Sequence, residues 1–209
     1  MKRPCLSLCL FLALSGTCAA APEGYRAVES VAASVNGEVV FLSDVAREAC
    51  FYRCGTVPGQ APQELSLSQA REKLIADTLV IQEAEKLGLG MVDNAALSSS
   101  AAESLSLTRK CAHACAEGVT EAQVRDLVRR RLMVRDFLEK RIAVFIEVNE
   151  EEVRRETGQR SRAGAPPAEL SEEVVRKSLY AEKAATEIRN WFSRSTSRSR
   201  IVLSPLSEP

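Results

Sequence analysis

Apolar and polar positions alternate clearly near the start of the chain. Val31, Ala33 and Val35 alternate with small or polar residues, and Val39, Val40, Phe41 and Leu42 form a second β-prone run. Between the two runs stands Asn36-Gly37, the pair best suited to the positive φ angles of a two-residue hairpin turn. Ser43 is placed to cap a helix reaching about Cys54. Gly55, Pro58, Gly59 and Pro62 mark a loop over 55–65.

From Leu67 to Leu87 the spacing becomes helical. Leu74, Ile75, Leu79, Val80, Ile81, Ala84 and Leu87 make an apolar face too wide for burial on one side only. Gly88 and Gly90 end it, and Asp93 caps a Ser- and Ala-rich helix over 94–107. Thr120 and Gln123 form a capping box for a helix over 121–142, with a core of Val124, Leu127, Val128, Leu132, Val134, Phe137, Leu138 and Ile142. Its Arg129, Arg130, Arg131, Arg135, Lys140 and Arg141 read as a solvated face. Asn149 and Glu152 form a second box, for a short helix over 150–157. A Gly/Pro-rich linker follows over 158–168.

The last helix spans 170–193, with a stripe of Val174, Ser178, Ala181, Ala185, Ile188 and Phe192 beside Ala184 and Trp191. Ile201, Val202 and Leu203 read as a strand. A lone hairpin is marginal in water, so this strand is expected on its edge. The expected fold class is mainly α: a helical body with a small antiparallel sheet formed by the N-terminal hairpin and the C-terminal strand.

Charge and composition add little direct chemistry. The 209 residues hold 28 basic and 28 acidic side chains. Lys2 and Arg3, the apolar run Leu6–Leu14 and the small residues Ala19, Ala20 and Ala21 have the layout of a signal peptide, cut after Ala20. The apolar run is shorter than the ~20 residues that span a bilayer. Thr17 before Cys18 departs from a lipoprotein signal. Cleavage removes Lys2 and Arg3 and no acid, leaving 26 basic against 28 acidic residues and a net charge near −2. No basic excess points to nucleic acid, and no integral membrane segment is expected after cleavage. No nucleophile motif, phosphate loop or H-E-x-x-H is present, so no catalytic residue, cofactor or metal is assigned. The acidic runs Glu150–Glu152 and Glu172-Glu173 sit at helix starts, where the helix dipole accounts for them.

Of seven cysteines, Cys5, Cys9 and Cys18 leave with the signal. Cys50, Cys54, Cys111 and Cys115 remain as two C-x-x-x-C pairs. On helices, each pair would place its Cβ atoms about 5–6 Å apart, beyond the disulfide range of about 3.5–4.5 Å. Bridges between the pairs are favoured instead: Cys50 with Cys115 and Cys54 with Cys111, as antiparallel turns would match them. Two other connectivities stay open, as do a four-thiolate metal site near His113 and a redox dithiol.

VESVAASVNGEVVFLSDV, with Val31, Ala32, Val35, Asn36, Val40, Ser43, Asp44 and Val45, resembles the opening of SurA-type periplasmic chaperones. REKLIADTLVIQEAEKLGLGMVD, residues 119–157 and KAATEIRNWFSRSTSRSRIVL are similar to that family's later helices and closing strand. The resemblance implies four parts: a signal over 1–20, hairpin and helices over 21–157, a linker over 158–168 where relatives carry a prolyl isomerase domain, and a closing helix and strand over 169–204. It further implies a periplasmic holdase or assembly factor without catalytic activity, with unfolded or extended polypeptide clients, such as outer-membrane proteins. Trp191, Phe192, Tyr180, Phe137 and Phe145 are the candidate client contacts. A structural protein with one dedicated partner is the alternative, and prolyl isomerisation would follow from the family name alone.

Overall fold

A computed structural model describes residues 29–206. The signal-peptide segment lies outside them. The described chain runs β1 (Val31–Val35), β2 (Glu38–Phe41), α1 (Leu42–Arg53), α2 (Leu67–Lys86), α3 (Asn94–Lys110), α4 (Glu121–Arg141), α5 (Glu150–Arg162), α6 (Glu172–Ser197) and β3 (Ile201–Leu203). It is mainly helical, with one antiparallel sheet ordered β2-β1-β3.

Asn36 and Gly37 have φ of 55° and 94° and close the hairpin with Val35 opposite Glu38. The third strand pairs Ala33 with Leu203 and Val35 with Ile201. Asn36 fastens this junction in both roles. Its N–H donates to Arg200 O at 2.8 Å, and its Oδ1 accepts from Arg200 N–H at 2.9 Å. Gln82 of α2 reinforces it by donating to Val35 O at 3.0 Å.

Helix α1 begins without a break after β2, and its N-cap is Phe41 rather than the expected Ser43. The Ser43 hydroxyl instead donates to Glu29 at 2.7 Å, because the helix has already started one residue earlier. Capping boxes stand at Ser66/Gln69, Thr120/Gln123 and Asn149/Glu152, and Asp93 caps α3 through Ala96 N–H. Each satisfies backbone donors that helix geometry leaves open.

Helix α2 is the hub. One flank carries Ala70, Leu74, Ile75 and Leu79 against Ala32, Ala33, Val35 and Val40 of the sheet and Val45 and Ala49 of α1. The other flank carries Val80 and Ala84 against Phe137 and Ile142, with Ile188, Trp191 and Phe192 half-buried alongside. Leu97 and Ala101 of α3 pack on Val128 and Leu132 of α4. This wide burial of α2 matches its wide apolar face.

Helices α3 and α6 run a few residues past their expected ends, to Lys110 and Ser197. Helix α5 continues through Gly158 to Arg162, so the segment read as a linker is helical in its first half. Glycine costs a helix about 1 kcal/mol. Here the Asn149 cap and the pairing of Arg160 with Glu156 at 2.8 Å hold the helix through it. The α6 stripe is also displaced. Val174, Ser178, Ala181 and Ala185 are exposed, and Val175 is the fully buried residue. Small side chains define a helical phase weakly, and α5 packs on the neighbouring flank.

Candidate functional site

An ionic cluster sets the position of α4, and with it the site. Arg131 reaches Glu48 of α1 and, at 3.0 Å, Asp77 of α2, while Lys73 donates to Asp77 at 2.7 Å. Glu48 and Asp77 are buried, and the Arg131 guanidinium lies 5.2 Å from the centre of the Tyr52 ring. Arg131 is therefore not part of a solvated face, which corrects the reading of the basic run in α4. Burial opposes its charge, but the attraction of Glu48 and Asp77 outweighs burial and keeps its pKa above the ordinary arginine value. Burial also raises the Tyr52 phenol, against the opposing pull of Arg131. The visible signal was Asp77 itself, an acid inside the apolar run of α2.

Past Arg141 the chain turns through Ile142 and the 3-10 turn Ala143–Phe145 before α5. Helix α6 crosses in front of this turn. At its C-terminal half, Trp191 packs edge-on against Phe137, with ring centres 5.2 Å apart, and against Phe192 at 5.0 Å. At its N-terminal half the closure is polar. Arg176 donates to Val148 O at 2.9 Å and pairs with Glu150 and Glu172. Lys183 donates to Glu147 O at 2.7 Å and pairs with Glu152 at 2.6 Å. The Tyr180 hydroxyl donates to Ala143 O at 3.3 Å. The Lys183 ammonium, helped by the Asn149 backbone N–H, holds the Glu152 carboxyl below the usual carboxylate range.

Between the aromatic end and the polar end lies an open cleft of about 740 Å³. Ile142, Phe145, Ile146, Leu179 and Trp191 supply its apolar wall, and Arg141, Glu182, Glu187 and Arg194 supply charged groups of both signs. Phe145 is 76% exposed. Of the five aromatic candidates, Phe145 and Trp191 line this cleft. Tyr180 is exposed on α6, and Phe192 is half-buried behind Trp191. Phe137 is only 2% exposed and packs in the core, so it is corrected from a contact residue to a support for Trp191. The α6 residues Leu179 and Lys183, which shape and close the cleft, were not singled out from sequence. Their spacing of four was the available signal.

The chain is 28% identical over 145 residues to the Chaperone SurA of Pseudomonas fluorescens, a match covering 65% of this chain and 33% of that protein. The chain is similar to a SurA chaperone. It spans about a third of that relative's length. No family model matches it. Among the described residues, no helix is long and apolar enough to cross a membrane.

Away from the cleft, the structure joins Cys50 to Cys115 and Cys54 to Cys111, with Cα separations of 5.8 and 5.3 Å. Cys50 lies in the last turn of α1 and Cys54 is its C-cap. Cys111 caps α3 in an extended conformation, and Cys115 lies in the 3-10 turn Ala114–Ala116. The second pair is thus not on a regular helix, contrary to the helical premise. The bridges fasten the loop end of α1 to the α3–α4 connection.

Proposed function

We propose that this chain is a holdase-type chaperone or assembly factor that shields unfolded exported polypeptides, such as outer-membrane proteins, in the periplasm. The observation that carries this reading is the open apolar cleft beneath α6, with Phe145 and Trp191 on its wall. An extended client segment would lay apolar side chains against Ile142, Phe145, Ile146 and Trp191, removing them from water at roughly 25 cal/mol per Å². The mixed charges at the rim allow contact with varied flanking sequences. Tyr180 would extend the contact along α6, while Phe192 would keep Trp191 in place. The similarity to a SurA chaperone supports the reading, and the signal-like residues 1–20 support export.

On this reading the protein has no catalytic activity. On the same reading the turn following α5, within 158–168, would take the place of an isomerase domain, and residues 169–204 would be the closing part of the same domain. Proline isomerisation of a test peptide should then proceed at its uncatalysed rate.

The decisive experiment follows light scattering as a urea-unfolded outer-membrane protein is diluted into buffer. A near-stoichiometric amount of the chain should suppress aggregation. Phe145→Ser should weaken suppression severalfold with an unchanged melting temperature, because Phe145 is mostly exposed. Absence of suppression at large excess overturns the proposal.

A further inference from the structure

The cysteine corner has geometry that its two bridges do not use. Cys50 Sγ and Cys54 Sγ lie 4.0 Å apart without being bonded to each other. Cys50, Cys54 and Cys115 place their sulfurs within 4.8 Å of one another; Cys111 lies outside that triad and adjoins it through its bond to Cys54. We propose that, once both bridges are reduced, these four cysteines form a tetrathiolate site for one zinc-type divalent cation.

Zinc binds thiolate sulfur at about 2.3 Å in a tetrahedron, which sets neighbouring sulfurs about 3.8 Å apart. The Cys50–Cys54 separation is too wide for a disulfide and already suits two ligands of one ion. Both pairs have the C-x-x-x-C form, within the C-x2–4-C range of structural zinc sites. The backbone helps as well. Cys111 and Cys115 flank extended residues and a single 3-10 turn, so their side chains are not held to one helical face.

The chemistry balances with an external dithiol as reductant. Each bridge takes up two electrons and two protons and opens to two thiols, while each dithiol closes to its own disulfide. Binding of the ion then displaces the four thiol protons to solvent. The resulting site carries a net charge of −2, beside Arg53 and Lys110, which adjoin Cys54 and Cys111 in the chain. His113 is not a ligand in this arrangement. Its Nδ1 faces the Cys115 N–H at 3.5 Å, and its Nε2 meets the Arg53 guanidinium at 3.2 Å.

The corner then has two alternative fasteners: two disulfides under oxidising conditions, and one ion under reducing conditions. Both join the end of α1 to the α3–α4 connection. This inference is independent of the chaperone reading.

The test titrates Co2+ into anaerobically reduced full chain, with the oxidised chain as control. The expected result is one Co2+ per reduced chain, with the visible absorption of tetrahedral thiolate cobalt, and none per oxidised chain. Zn2+ should displace the cobalt and raise the melting temperature of the reduced protein. Cys50→Ser and Cys115→Ser should each abolish the thiolate absorption. If the reduced chain unfolds, Zn2+ should restore its helical circular dichroism. The proposal is overturned if the reduced chain binds no more Co2+ than the oxidised chain, or if it unfolds and Zn2+ fails to restore it.

Discussion

The body from β1 to α4 and the arm formed by α5 and α6 are built on different physics. In the body, sheet and helices share apolar clusters centred on α2, and one buried ionic network ties α1, α2 and α4 together. In the arm, Val153 and Val175 are the only fully buried apolar residues, although α6 alone has 26 residues. Polar stitches through Arg176 and Lys183 and the half-buried Trp191 and Phe192 do most of the holding. The contrast shows how a cleft stays open. A helix held by its ends and by polar contacts does not collapse onto the apolar wall beneath it, whereas a helix with a full apolar face would.

Mutations at the two kinds of contact should separate them. The largest effect is expected in the body. Arg131→Ala leaves Glu48 buried without its cation and Asp77 with Lys73 alone, and should cost about 3–5 kcal/mol in a urea titration. Loss near zero would mean that the network is solvated and that the contrast is weaker than described. Replacing Cys54 and Cys111 together by Ser should cost about 2–4 kcal/mol through the unfolded chain, read as a lower urea midpoint for the whole protein. Trp191→Ala removes a half-buried ring, so about 2 kcal/mol is expected, less than for a fully buried aromatic. Its mark should be local: faster hydrogen exchange in α6, with α2 and α4 unchanged. Equal acceleration in α2 would merge arm and body into one unit.

The smallest effect is a pH dependence. Lys183 lowers the folded pKa of Glu152 beneath its ordinary 4.5. The unfolded chain therefore binds the proton more readily, and this contribution is fully present above about 4.5. It is lost as the pH falls through the lowered folded value. Protection of the α5–α6 contact against hydrogen exchange should fall in that window, and Lys183→Ala should remove the fall.

Local signals in the sequence read well because neighbouring residues generate them. Asn36-Gly37 fixes a turn whatever lies elsewhere, and Thr120/Gln123 and Asn149/Glu152 complete caps within one helical turn. The Ser66/Gln69 box carried the same signal and went unread. Long-range pairing was less legible. Arg131 stands among six other basic residues of α4, and nothing local marks it as the partner of Glu48, 83 positions earlier. Gly158 looked like a break because its compensation comes from Arg160, Glu156 and Ser178. In α6, alanines and serines fit several faces equally, so the buried flank was decided by α5. The aromatic candidates gather near α6, but only tertiary packing separates the buried Phe137 from the exposed Phe145.

The late strand β3 has a consequence for the order in which this protein acquires its fold. Asn36 and β1 are made early, yet their hydrogen-bond partners at Arg200 to Leu203 come last. At synthesis rates of about 5–20 residues per second, β1 waits on the order of ten seconds for its neighbour. Throughout that interval its outer edge is an unpaired template of the kind that recruits foreign strands. The nascent chain thus passes through a sticky adolescence of its own, and β3 acts as a latch that ends it.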